Sequence, residues 1–261
     1  MDNIRKFNFN VNGFDTKAAY FQRNIDEIFI PLLRKWTEMS KEKDERFVIF
    51  LVAPPAAGKT TLSIFLEYLS KNIEGIDEIQ AIGLDGFHFH GDYIRRHSVN
   101  IKGKDVPMSE VKGCLETFDI DKLKGKLKEL EKKNIMWPIY DRNIHDVVEA
   151  SIFVNKKIIL IEGNWLLTDE EKWRDLKDFC NYSIFINADE EILKQRLIDR
   201  KMKGGFTHEE ALGFYEKSDS VNVRRVLNNH FEAELELIMK ENGDYIKNYS
   251  RITIEKVLFN L

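Results

Sequence analysis

Six apolar residues, Phe47-Val48-Ile49-Phe50-Leu51-Val52, run without a polar interruption into a loop of small residues, Ala53-Pro54-Pro55-Ala56-Ala57-Gly58, and then into Lys59-Thr60-Thr61. A strand with one wet face alternates apolar and polar side chains. An unbroken run marks a strand covered on both faces, as in the interior of a parallel sheet. Similar runs recur at 79–84, 157–161 and 182–186, and helical spacing of apolar residues fills 60–73, 119–133 and 189–203 between them. Strands alternating with helices predict a parallel sheet with right-handed crossovers and helices on both faces. The expected fold class is α/β: a P-loop three-layer α/β/α sandwich with a mainly parallel sheet of about five strands.

Apolar positions at Ala19, Phe21, Ile25, Ile28, Phe29, Leu32, Leu33 and Trp36 predict an amphipathic N-terminal helix over 16–38, which either covers the sheet or forms a dimer contact. Residues 86–118, rich in glycine, histidine and polar side chains, predict a functional loop region with short helices. No internal repeat, low-complexity tract or linker divides the chain, so 1–261 reads as one domain.

With 40 basic and 44 acidic residues and a net charge of −4, the chain lacks the basic footprint of a general nucleic-acid binder. The run over 47–57 is too short for a bilayer and contains two prolines, so no membrane span is expected. Cys114 and Cys180 belong to no CxxC pattern, and the polar N-terminus leads into no apolar h-region. Reduced thiols and a cytoplasmic location follow as expectations.

The loop at 53–60 matches G-x-x-x-x-G-K-[ST] except that Ala53 stands at the first glycine. The chemistry of that pattern is phosphate binding. Backbone N–H groups of Ala56, Ala57, Gly58, Lys59, Thr60 and Thr61 converge on an anion at the positive end of the helix. Gly58 permits close approach, Lys59 neutralises the β- and γ-phosphates of ATP, and the Thr60 hydroxyl holds Mg²⁺. Ala53 is compatible with this provided its φ stays negative.

Two further strand ends carry acids. The 79–84 run is followed by Asp85-Gly86-Phe87-His88, and 157–161 by Glu162-Gly163-Asn164-Trp165. In an open α/β sheet ligands sit beyond the carboxyl ends of the strands. A carboxylate at Asp85 can accept the proton of an attacking hydroxyl, with an ordinary turn aspartate as the equal alternative. Glu162, after four aliphatic residues, is expected to orient Mg²⁺ or to support a substrate pocket. Arg196 and Arg200 lie at i and i+4 on a helix that stops at Gly204-Gly205, with Lys203 a weaker member of the same basic set. The lysines of 122–133 alternate with acids and with leucines at core spacing, the pattern of a solvated helix. His88, His90 and His97 lack the companion ligands of a metal site, and His88 or His90 is instead a candidate acceptor contact.

Asp85-Gly86-Phe87-His88 and 161–167 (Ile-Glu-Gly-Asn-Trp-Leu-Leu) resemble the superfamily of uridine kinases, phosphoribulokinases and bacterial pantothenate kinases. So do 112–119 and Pro138-Ile139-Tyr140-Asp141-Arg142, and the likeness is greatest to its nucleoside/nucleotide kinase-like branch. The resemblance spans roughly 47–228, with the motifs in the family's order. It implies that Asp85 is the catalytic base, that Tyr140, Asp141 and Arg142 border an acceptor pocket within 86–146, and that a short helical lid at 194–206 brings Arg196 and Arg200 over the triphosphate. Tyr140-Asp141-Arg142-Asn143-Ile144-His145 matches the Y-D-F-x-x-H of uridine kinases only in part.

The expectation is thus an ATP- and Mg²⁺-dependent kinase for a small-molecule hydroxyl, with a uridine-type nucleoside as the first candidate acceptor. Pantothenate and sugar kinases of the same superfamily are the alternatives. Outside it stands an acceptor-free NTPase or a nucleotide-binding regulatory protein.

Overall fold

The computed structural model describes residues 3–11, 14–101 and 103–248. The chain opens with an antiparallel hairpin, β1 (Ile4–Val11) and β2 (Phe14–Phe21). A helix over 22–41, α1, follows, its Ile25–Phe29 turn wound as a π-helix. The helix expected over 16–38 is therefore corrected at its start: residues 16–21 are strand. Ala18 and Tyr20 are buried while Asp15, Lys17 and Ala19 are exposed, a period of two that Ala19 and Phe21 disguised as a helical one.

Next come β3 (Phe47–Val52), α2 (Lys59–Asn72), β4 (Ile79–Gly83), the short α3 (Gly91–Arg96) and a small hairpin of β5 (Ser98–Ile101) and β6 (Lys104–Pro107). Helix α4 (Ile120–Leu130) precedes a second hairpin, β7 (Ile135–Asp141) and β8 (Asp146–Val154). The chain continues through β9 (Ile158–Gly163), β10 (Tyr182–Ala188), α5 (Glu190–Lys203) and a helix over 208–228, α6, again with one π turn, Tyr215–Asp219. It closes with β11 (Leu235–Met239) and β12 (Tyr245–Lys247).

One six-stranded sheet organises these elements in the order β12-β11-β10-β3-β9-β4. Every pair is parallel except β12 on β11, so the expected five parallel strands gain one antiparallel edge strand. Alternation sorts the central strand between two cores. Phe47, Ile49 and Leu51 pack with α1, α2 and the hairpin, while Val48, Phe50 and Val52 pack with α4, Trp137 and Trp165. Both faces are covered, which is why the sequence shows unbroken apolar runs there. Pairing of Val52 with Gly163 and of Gly83 with Glu162 brings the carboxyl ends of β3, β9 and β4 level with one another. Among the described residues no helix is long and apolar enough to cross a membrane.

Candidate active site

The loop after β3 has the backbone that its small residues permit. Gly58 is left-handed (φ 81°, ψ 15°) and starts α2, which carries no side-chain N-cap. Its first-turn N–H groups are therefore free of side-chain partners and point into the loop. Ala53 keeps a negative φ and is fully buried, so its methyl replaces glycine without strain. Ala56 is the strained residue, at φ 65°, a region that costs an L-residue about 1–2 kcal/mol. Ala57 is fully buried beneath the loop.

At the next strand end, Glu162 meets this loop. The Thr60 hydroxyl donates to Glu162 Oε1 at 2.8 Å, and Lys59 Nζ lies 3.8 Å from Oε2. Thr60 and Glu162 form a hard-oxygen donor pair beside the phosphate loop, which fits Mg²⁺ with its preference for carboxylate, hydroxyl and phosphate oxygens. Burial pushes the Glu162 carboxyl above its ordinary value. Lys59 and the Thr60 hydroxyl oppose that rise, and Asp85 adds to it.

Asp85 lies in the 3-10 turn Leu84–Phe87, directly after β4. The turn is pinned by Trp137, whose Nε1 donates to the Gly83 carbonyl at 2.9 Å and whose ring meets Phe87 at 4.8 Å. Gly86 has no room for a side chain: a Cβ there would lie 2.2 Å from the Pro138 carbonyl oxygen. The Asp85 side chain is 43% exposed to the cleft, 3.9 Å from Arg142. Desolvation raises its pKa, but the charges of His88, Lys59, Arg142 and Arg200 outweigh that and hold it below the usual aspartate value.

The residues expected to border an acceptor pocket are placed differently. Arg142 stands in the β7–β8 turn and faces Asp85. Tyr140 Oη accepts from Lys112 Nζ at 2.7 Å. Asp141 Oδ1 accepts the N–H of Asn143 at 2.7 Å, which steadies the turn. His88 is buried, stacked 3.8 Å from Phe118 with Nδ1 3.3 Å from the Thr117 carbonyl. Burial lowers its pKa, and the Asp85 carboxylate opposes that fall. His90 instead faces Asp146 and Glu149, and His97 stacks on Tyr93.

The two arginines of α5 serve different parts of the cleft. Arg200 acts on Asp85 and Arg142, and its own pKa is lowered by desolvation and then by Arg142. Arg196 instead reaches the phosphate loop, 3.5 Å from the Ala56 carbonyl, and contacts Met239 Sδ at 3.1 Å. Beside it opens a cavity of about 1030 Å³ lined by Asn187, Asp189, Arg196, Met239 and Lys240. No motif in the sequence marks this cavity, although Leu235, Leu237 and Met239 alternate as a strand should. None marks Arg225 either, which bonds both Glu116 and Glu170 and fastens the 112–118 segment to α6. Burial pushes the Cys114 and Cys180 thiols each up to about 12, and both cysteines are free.

The chain is 39% identical over 241 residues, 92% of its length and 98% of the relative's, to the "Uncharacterized protein YggC" of Escherichia coli (strain K12). It is 26% identical over 213 residues, 79% of the chain and 88% of the relative, to "Putative uridine kinase C227.14" of Schizosaccharomyces pombe. A solved "putative fructose transport system kinase" from Silicibacter sp. TM1040 shares its fold with a TM-score of 0.68 at 24% identity, covering 78% of this chain and 97% of that one. The model of one family matches residues 48–220, which take in the phosphate loop, both acidic strand ends and the basic helix; the chain belongs to the phosphoribulokinase / uridine kinase family.

Proposed function

We propose that the protein transfers the γ-phosphoryl group of ATP to a hydroxyl of a small metabolite. The observation that carries this reading is the convergence of three strand ends. The Lys59–Thr60–Glu162 cluster is suited to a nucleotide's phosphates, and a separate carboxylate, Asp85, is held ionised by surrounding cations on the acceptor side. The names of the yeast and Silicibacter relatives support the same class.

In this reading the N–H groups of 56–61 and the Lys59 ammonium hold the β- and γ-phosphoryl oxygens. Arg196 and the cavity beside Met239 take the base end of ATP. Thr60 and Glu162 would hold Mg²⁺, which supplies charge neutralisation to the phosphates when bound. The acceptor oxygen bonds to the γ-phosphorus, the bond from γ-phosphorus to the bridging oxygen breaks, ADP leaves, and the hydroxyl proton passes to Asp85. A carboxylate with a lowered pKa is a weak base toward a free alcohol. In a loose transition state the proton leaves late, so Asp85 chiefly orients the hydroxyl and then collects the proton. Arg200 supplies charge opposite the transferring group. A uridine-type nucleoside, a pantothenate-like compound and a sugar each offer such a hydroxyl.

ADP release measured across a metabolite panel tests the reading. Asp85→Asn should lower kcat by about 10²–10⁴-fold while leaving ATP binding intact. If the Asn variant kept most of its turnover, the base would have to be sought at Glu162. ATP hydrolysis at full rate without any acceptor would replace the kinase reading by an NTPase.

A further inference from the structure

The end of the basic helix α5 is closed by a clasp around Lys201. The Lys201 carbonyl accepts the N–H groups of Gly204 at 2.9 Å and of Phe206 at 3.3 Å, and Gly205 takes a left-handed φ of 97°. The turn thereby folds the Phe206 ring back over the helix, 5.4 Å from Lys201 Nζ. The Phe214 ring of α6 meets the same ammonium at 3.6 Å, and the two rings stand edge to face, 5.9 Å apart at 80°. A cation over two ring faces is held electrostatically as well as by packing.

Asp219 completes the clasp. It lies five residues after Phe214, and five residues of α-helix carry a side chain about 140° away from its starting face. Here the π turn Tyr215–Asp219, closed by the Ser220 N–H on the Tyr215 carbonyl, brings residues five apart back onto one face. Asp219 therefore faces α5 along with Phe214, and its carboxylate feels Lys201 first and Arg200 second. Its Oδ2 is buried and, among the described residues, has no hydrogen-bond partner. A buried carboxylate oxygen without a donor is costly, and the compensation here is the charge of those two cations.

Lys201 and its neighbour are thus turned to different tasks. Successive side chains on a helix point about 100° apart. Arg200 is turned to the cleft, where its charge acts on Asp85 and meets that of Arg142, while Lys201 is turned onto α6. Rotating the last turn of α5 to free Lys201 would carry Arg200 away from the cleft.

We propose that Lys201 and Asp219 are positioning residues: the clasp of Phe206, Phe214 and Asp219 around Lys201 fixes the rotation of α5 and keeps Arg200 aimed at the transferring phosphoryl group. This rests on the kinase reading above and adds a support to its lid. In this role Lys201 touches neither nucleotide nor acceptor.

Lys201→Met keeps most of the side chain's length without its charge, and Asp219→Asn keeps shape without charge. Each should lower kcat roughly ten- to hundredfold, the cost of a misplaced group, with the KM for ATP within about twofold of its original value. Lys201→Arg, whose guanidinium also stacks on rings, should restore most of the rate. The decisive comparison is a double-mutant cycle with Arg200→Ala. Adding Lys201→Met to Arg200→Ala should cost almost nothing more, because Lys201 acts through Arg200. A full further loss in the double variant, a raised KM for ATP, or an unchanged kcat in Lys201→Met would each overturn the proposal. Melting temperatures identify a variant that fails to fold, and the cycle with Asp219→Asn then decides.

The cycle is measured twice, with the acceptor found in the metabolite panel and with water alone. If no metabolite raises ATP consumption above the water rate, the kinase reading falls, and the water arm still tests the clasp. If a metabolite does so while the losses are additive, the kinase reading stands and the clasp falls.

Discussion

Burial acts on both cleft carboxylates, yet Asp85 ends below its ordinary value and Glu162 above. The difference lies in the number of cations each faces. Asp85 looks toward His88, Lys59, Arg142 and Arg200, whereas Glu162 is more enclosed and also feels the Asp85 charge. As pH falls, Glu162 takes up its proton first while Asp85 stays ionised. A neutral Glu162 is a poorer partner for a cation, so Mg²⁺–ATP affinity should fall through a transition above pH 4.5, the ordinary glutamate value. Asp85→Asn removes one charge that raises Glu162 and should move the transition to lower pH, as read by equilibrium nucleotide titrations between roughly pH 4 and 8. A transition that stays in place would show that the two acids do not interact. The sign for stability is opposite at the two sites. The lowered Asp85 pKa contributes stability above its unfolded value of 3.8 that is lost as pH falls through the folded one. The raised Glu162 pKa subtracts stability as pH rises through 4.5 and beyond.

The N-terminal hairpin rests on the helix that begins at the phosphate loop. Tyr20 stacks on Phe65 of α2 at 4.0 Å, and Phe7 meets Phe65 at 4.8 Å and Tyr68 at 5.7 Å. Phe65 is fully buried, so Phe65→Ala should cost about 3–5 kcal/mol in urea unfolding. Combining it with Tyr20→Ala should cost less than the sum of the single losses, by the roughly 0.5–1.5 kcal/mol of an aromatic pair. Additive losses would mean the ring contact contributes nothing of its own. The strands β3, β9 and β10 were legible because burial on both faces leaves an unbroken apolar run. Strand β2 was not, because only Ala18 and Tyr20 of its inward face stand out before the helical pattern starts at Ile25. In the cleft, Gly58-Lys59-Thr60, Asp85 and Glu162 could be read because each follows a strand directly. Arg142 was legible only through its family-like motif, because its turn carries no periodicity, and the cavity at Arg196 needs β11 beside β10, a pairing that local sequence does not encode. Asp141 shows the converse: its place in a family-like motif was legible, its hydrogen bond from the Asn143 N–H was not.

Across the whole molecule, the two ends of the described chain are tied together. Asn24 is 2% exposed, and its side-chain amide donates to the Tyr245 carbonyl at 2.7 Å and accepts the Tyr245 N–H at 3.2 Å, extending β12 like one more strand residue. Tyr245 in turn lies under the phosphate loop, its Oη 3.9 Å from where a Gly58 side chain would begin. A ligand in that loop is therefore coupled to the cooperative fold. Mg²⁺–ATP at about a hundred times its Kd should stabilise the protein by about 2.7 kcal/mol. That should raise Tm by roughly 5–10 °C in a melting experiment. Lys59→Ala should lose most of the shift; a full shift in that variant would place the nucleotide elsewhere.

The central position of β3 also bears on how the chain is made. Both of its neighbours, β9 and β10, lie far downstream in the sequence. At roughly 5–20 residues per second, the ribosome needs on the order of ten seconds after completing β3 to deliver β9. Throughout that interval Phe47-Val48-Ile49-Phe50-Leu51-Val52 is an unpaired, uncharged strand of the kind that aggregates. The charged stretch Lys41-Glu42-Lys43-Asp44-Glu45-Arg46 immediately before it is placed where gatekeeper residues act, keeping the nascent strand soluble until its partners arrive.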